Sequence, residues 1–164
     1  MAGDACRAAR LHRNHGFIER LNMTQNWLVP IDGSEVALKS VAWITEHLAE
    51  WRDAPQIKLI NVQPMLPNDI GRFINADTIR EFHLEAGMKA LGAARDALVA
   101  SGVTPELHVM VGDAASTITD FADTHGCSQI VLGTHGHSGL TGTLLGSVAM
   151  KVVHLSKTPV LLVR

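Results

Sequence analysis

No apolar run in this 164-residue chain approaches the length that crosses a membrane. Cysteine is scarce as well. Cys6 and Cys127 lie far apart, which excludes a disulfide framework and reads as reduced thiols in a cytoplasmic protein. Charge of either sign is not in excess: Lys and Arg total 14 against 16 Asp and Glu, a net charge of -2 that gives no general attraction to nucleic acid. No internal repeat or low-complexity tract is present, and no secretory apolar core precedes the first strand-like run. What remains is 46% apolar and 18% charged, the balance of a soluble globular chain of single-domain size.

The charge that exists is unevenly placed. Residues 1–22 hold Arg7, Arg10, Arg13 and Arg20 against Asp4 and Glu19, so the acidic excess belongs to residues 23–164. An Arg-rich, acid-poor start has the composition of an organelle transit segment. Met23 stands just before the first strand-like run, however, and residues 1–22 are read as a disordered leader or upstream extension outside the fold.

From Asn26 the chain alternates short apolar runs with helical patterns. "NWLVPI" (26–31) ends at Asp32-Gly33-Ser34, where Ser34 is placed to cap a helix running toward Pro55. "IKLINV" (57–62) is a second strand. A long helix is expected from about Asp77 to Ala100, with Leu84, Met88, Leu91, Ala94 and Leu98 as its apolar stripe and Gly102 closing it. "ELHVMV" (106–111) is followed by a helix capped by Asp113. "SQIVLG" (128–133), a glycine-dense stretch, a short helix over 147–156 and "TPVLLVR" complete the chain. Continuously apolar strands separated by helices argue for an α/β domain with a parallel sheet covered on both faces.

Glycine is where the sequence is rich. Gly133, Gly136, Gly139 and Gly142 recur every third residue, and Gly146-Ser147 follows at the start of the last helix. The stretch is too brief, and too poor in proline, for collagen. Bare backbone lets N–H groups converge on an anion, and a helix N-terminus adds unpaired N–H groups and a positive dipole end. The arrangement is that of a phosphate cradle. Gly146-Ser147 lacks the lysine of a Walker A loop, and no dinucleotide fingerprint follows the first strand.

The remaining spacing, Gly-x2-Gly-x9-Gly-Ser over Gly133, Gly136, Gly146 and Ser147, resembles the nucleotide loop of the universal stress protein family. The resemblance extends over residues 26–164, through "VPIDGS", "INVQP", "VGDAASTI" and the stretch from Gly133 to the end. It implies a single-domain, three-layer α/β/α fold with a five-stranded parallel sheet in the order 3-2-1-4-5, and an ATP site where that order reverses. By position, Pro30, Ile31 and Asp32 would border the adenosine, the backbone of Val62 the adenine edge, and Gly112 the ribose. Gly133, Thr134, His135, Gly136, His137, Gly139, Gly146, Ser147 and Val148 would hold the phosphates, with Mg2+ allowed alongside.

Three features depart from the family pattern. Met150 stands where an acidic residue is common, and the leader has no counterpart. His137 stands where arginine or another polar residue is common, which implies weaker, pH-sensitive triphosphate binding.

Blander readings apply to several of these residues. Asp32-Gly33 is also ordinary turn chemistry. His135 and His137 lack the carboxylates or thiols of a metal set, and His47, His83, His108, His125 and His154 are scattered along the sequence. Cys127 reads as a small buried hydrophobe, and Lys151 as a solvated lysine one turn beyond Ser147.

The leading function is an ATP-binding stress-response regulator whose nucleotide state alters dimer or partner contacts. Slow ATP hydrolysis or autophosphorylation, on Ser147 or Ser138, is the enzymatic alternative, and a structural dimer module without nucleotide is the other. The apolar terminal strand lies at the sheet edge in this order. It implies a homodimer paired through that strand, in which Val163→Pro would remove an outward N–H. No nucleic-acid or membrane partner is expected.

Overall fold

The computed structural model describes residues 25–67, 74–134 and 145–164. Five parallel strands form one sheet: β1 (Asn26–Pro30), β2 (Gln56–Gln63), β3 (Glu106–Val111), β4 (Gln129–Gly133) and β5 (Val160–Val163). Their order is β3-β2-β1-β4-β5, as the resemblance implied. Four helices connect them: α1 (Glu35–His47), α2 (Ala76–Ala100), α3 (Ala114–Thr124) and α4 (Ser147–Leu155). No described helix is long and apolar enough to cross a membrane.

Strand alternation divides the core in two. Trp27 and Val29 of β1, Ile31 just after it, Ile57 and Leu59 of β2 and Val131 of β4 pack beneath α1 and α2, against Val41, Ile44, Leu91 and Leu98. Leu28, Ile60, Ile130 and Leu132 point the other way, onto Ile118, Phe121, Ala149 and Val152 of α3 and α4. Between their polar ends the central strands are therefore mostly apolar, with Lys58 and Asn61 of β2 as exceptions, as a sheet covered on both faces requires. β3, paired only with β2, is half covered, and its Met110 and Val111 are exposed.

Local chemistry sets the helix ends. Ser34 Oγ accepts from the Ala37 N–H at 3.2 Å, and Asp113 Oδ1 accepts from the Ser116 N–H at 3.2 Å, so both expected N-caps are in place. Gly102, at φ 82°, ends α2 in a Schellman arrangement: its N–H donates to Val99 O, and that of Val103 to Leu98 O, both at 3.0 Å.

Two expectations need correction. α1 stops at His47 and a 3-10 turn over Leu48–Glu50 replaces its last residues, because Trp51 leaves the helix to meet Trp27 edge-on at 4.7 Å. The buried stripe of α2 is His83, Gly87, Leu91, Ala94 and Leu98, whereas Leu84 and Met88 face outward. Gly87 is needed for close approach: a Cβ there would lie 2.4 Å from a Val109 methyl on β3.

Candidate functional site

In an open parallel sheet the crevice for a ligand lies beyond the carboxyl ends of the strands, where the strand order reverses. Here that place is between β1 and β4. β1 runs on through Ile31 to Asp32, whose Oδ1 accepts from the Ser34 N–H at 2.9 Å and from Ser34 Oγ at 2.6 Å. Gly33 follows at φ 85°, a left-handed conformation that turns the chain into α1 with its Cα against Ala90. Turn chemistry at Asp32-Gly33 is thus real, and it fixes the carboxylate at the rim of the crevice.

A cavity of about 300 Å3 occupies the crevice, at the lower end of small-molecule sites. Of the residues singled out in the sequence, Pro30, Ile31, Asp32, Val62, Gly133, Gly146, Ser147 and Val148 line it. Thr134 is buried beside it: its N–H donates to Val163 O at 2.9 Å, and its carbonyl accepts from the Gly146 N–H at 2.7 Å. That last bond joins the two ends of the glycine-dense stretch. His135, Gly136, His137 and Gly139 lie outside the described residues.

Gly112 does not line the cavity, although Ala114 two residues on does. The Gly112 N–H donates to Gln63 O at 2.9 Å, and a Cβ at this position would fall 2.7 Å from Thr117 Oγ1. The bare Cα lets β3 turn tightly into α3.

The sequence reading missed Ala37, Ile60, Asn61, Ala114, Ile118, Leu132 and Ala149, which complete the walls. Most are ordinary core residues that only tertiary packing assembles. Asn61 is different: buried, it donates from Nδ2 to Ile31 O at 2.7 Å and accepts at Oδ1 from Gln63 Nε2 at 2.6 Å. It ties the end of β2 to the chain segment that carries Asp32. An amide between the apolar Ile60 and Val62 was the available signal.

Two helix N-termini face the cavity from the same side. α3 is capped by Asp113, whose carboxyl is held below the usual range first by the Ser116 backbone N–H, then by the Ser116 hydroxyl, with Lys151 contributing. α4 has Gly146 as N-cap, with no side-chain cap bond among the described residues, and Ser147, Val148 and Ala149 of its first turn line the crevice. Apolar walls with one carboxylate at the rim and a glycine-capped helix start suit a flat apolar ring carrying an anionic tail.

The histidines are less scattered than the sequence suggests. His108 and His125 sit 6.1 Å apart around Phe121, which stacks on His125 at 3.7 Å. His108 Nε2 lies 3.4 Å from Glu106 Oε2, which is bound by Lys58. This group is at the opposite, amino end of the strands. Cys127 lies there too, buried as expected, and burial pushes its thiol up.

Comparison with known proteins agrees with this architecture. Residues 23–164 match the model of the universal stress protein family. Universal stress protein YxiE of Bacillus subtilis is 33% identical over 150 residues, 87% of this chain and all of the relative. The solved structure of hypothetical protein MJ0577 superposes with a TM-score of 0.73 at 25% identity, over 86% of this chain and 96% of that one. A universal stress protein solved in complex with cAMP superposes with a TM-score of 0.55 at 28% identity, over 86% and 97% of the two chains.

Proposed function

The chain belongs to the universal stress protein family, and from that premise and the geometry of the crevice we propose that it binds ATP there and signals its occupancy through contacts of a homodimer. The observation that carries the reading is the cavity at the β1/β4 reversal, where the glycine-capped start of α4 meets apolar walls. The similar chain solved with cAMP supports an adenine nucleotide as the ligand class. In this reading Pro30, Ile31 and Asp32 border the adenosine, and Val62 meets the adenine edge. Gly133, Thr134, Gly146, Ser147 and Val148 hold the phosphates together with His135, Gly136, His137 and Gly139 of the glycine-dense stretch.

Acid extraction of the purified protein followed by chromatography tests whether nucleotide co-purifies. Gly136→Val should abolish ATP binding in calorimetry with the far-ultraviolet circular dichroism intact. Unchanged affinity in that folded variant would refute the site.

The dimer rests on the other edge of the sheet. Among the described residues β5 pairs with β4 alone, and exposed Val153, Leu155 and Leu162 lie on α4 and β5. Ile130 donates to Pro159 O and Thr134 to Val163 O, so the odd-numbered residues of β5 turn toward β4. Val163→Pro would therefore break the internal ladder rather than the outer one. The outward groups are those of Val160 and Leu162. Leu162→Pro removes an outward N–H and should convert a sedimenting dimer to monomer; a wild-type protein that sediments as a monomer at micromolar concentration refutes the assembly.

A further inference from the structure

The cavity wall carries no cation among the described residues; its charged member is Asp32. A triphosphate brought to the start of α4 would gain from a cation set beside that wall, beyond what helix N–H groups supply. Lys151 is placed to do this. It lies four residues after Ser147, hence on the same face of α4 one turn further along. Helical side chains lean toward the N-terminus, so the Lys151 stem points back toward the rim formed by Ser147 and Val148.

Its partner there adjoins the cavity wall. Lys151 Nζ lies 4.0 Å from Asp113 Oδ2, while Asp113 Oδ1 is engaged by Ser116. The pair thus spans from α4 to the start of α3, next to Ala114 of the cavity wall. Both side chains are more than half exposed, and an exposed ion pair at this separation is weak. Releasing the ammonium costs little. Asp113 keeps its capping bonds whether Lys151 stays or leaves.

We propose that Lys151 reads the phosphate content of the nucleotide, exchanging the Asp113 carboxylate for the outer phosphates of a nucleoside triphosphate. The inference rests on the nucleotide reading of the cavity. A monophosphate ends at the first turn of α4 and leaves Lys151 with Asp113. A triphosphate extends to the ammonium and gains a charge-assisted contact. Asp113 acts as a competitor that sets how much the longer phosphate chain gains.

The test compares ATP and AMP affinities by calorimetry in divalent-free buffer. Lys151→Met keeps the apolar stem and should weaken ATP about fivefold while moving AMP less than about twofold, the scale of one exposed charge pair. Asp113→Asn keeps a competent cap and should strengthen ATP relative to AMP. A wild-type preference for ATP that survives Lys151→Met, or equal losses for both nucleotides, overturns the proposal. A wild type that binds neither nucleotide refutes the cavity reading itself, and this inference falls with it.

Discussion

At the carboxyl ends of β1 and β4 the backbone parts around a cavity of about 300 Å3, whereas at the amino ends of the same sheet aromatic rings fill the space. Trp27, at the start of β1, stacks 6.4 Å from Trp43 of α1 and meets Trp51 edge-on, and His47 stacks on Trp43 at 4.6 Å. On the other face of this lower end, Lys58 binds Glu106, and His108 packs on Phe121 with ring centroids 4.7 Å apart. The upper end instead collects glycine, one rim carboxylate and a helix start capped by glycine. One end spends its residues on contacts with each other. The other keeps backbone groups beside a cavity, and function is expected to depend on them. The contrast predicts that lower-end variants lose stability and upper-end variants lose ligand.

The largest effect should come from Trp27→Ala. This side chain is 4% exposed and touches two other tryptophans, so its loss leaves a cavity costing about 3–5 kcal/mol. Urea denaturation should show that drop, while ATP affinity of the folded protein stays within about twofold, the change being remote from the site. A tenfold loss of affinity would mean that the two ends are coupled.

The upper-end counterpart is Asp32→Ala. It removes the acceptor for the Ser34 N–H and hydroxyl, contacts that are solvent exposed. The stability cost should be about 1 kcal/mol or less, while ATP affinity should fall about tenfold, the scale of one charged hydrogen bond. Equal ATP affinity with reduced stability would make Asp32 a turn residue only. In that event the division between the two ends loses its sharpest marker.

How far this division could be read in the sequence differs between the ends. Asp32-Gly33-Ser34, the Asp113 cap and Gly102 are local signals, each decided within a few residues, and they were legible. The strand order and the Gly133–Ser147 spacing were reached through family resemblance. The lower end was not legible, because Lys58 meets Glu106 only through the β2–β3 register, and His108 meets His125 only when α3 packs on β3. The stripe of α2 failed for a related reason. Side-chain type favoured Leu84 and Met88 as buried, but the Val109 methyls leave room on that face only for a residue without a Cβ.

The lower end should also carry the acid sensitivity. Burial holds His108 below its ordinary value of 6.5, despite Glu106 favouring its charged form; Lys58 and His125 act with burial. Above pH 6.5 the imidazole is neutral in folded and unfolded chains alike and costs nothing. Below it the unfolded chain takes up the proton first, so stability falls until the folded ring also protonates. The hydrogen bond from Lys58 holds the Glu106 carboxyl below its ordinary 4.5, so its contribution is present above that pH and is lost as the pH falls further. Both signs agree: acid weakens this end. Urea midpoints should decline from pH 7.5 to 5.5, and His108→Gln should flatten that part of the profile. A slope unchanged in His108→Gln would place the titration elsewhere.

The smallest effect is expected from removing the leader. Gln25 already closes the lower end: its carbonyl accepts from the Gln56 N–H at 2.7 Å, and its side chain accepts from Trp27 Nε1 at 3.1 Å. The family match likewise begins at residue 23. A chain starting at Met23 keeps both bonds and all three tryptophans. Its unfolding free energy should therefore lie within about 0.5 kcal/mol of the full chain, the range of changes that touch no core, cap or buried charge. Equal midpoints with equal denaturant slopes would place residues 1–22 outside the lower-end packing. A loss above about 1 kcal/mol would show residues 1–22 packing against the domain. The site they cover would then be sought first beside Gln25, the first described residue before β1.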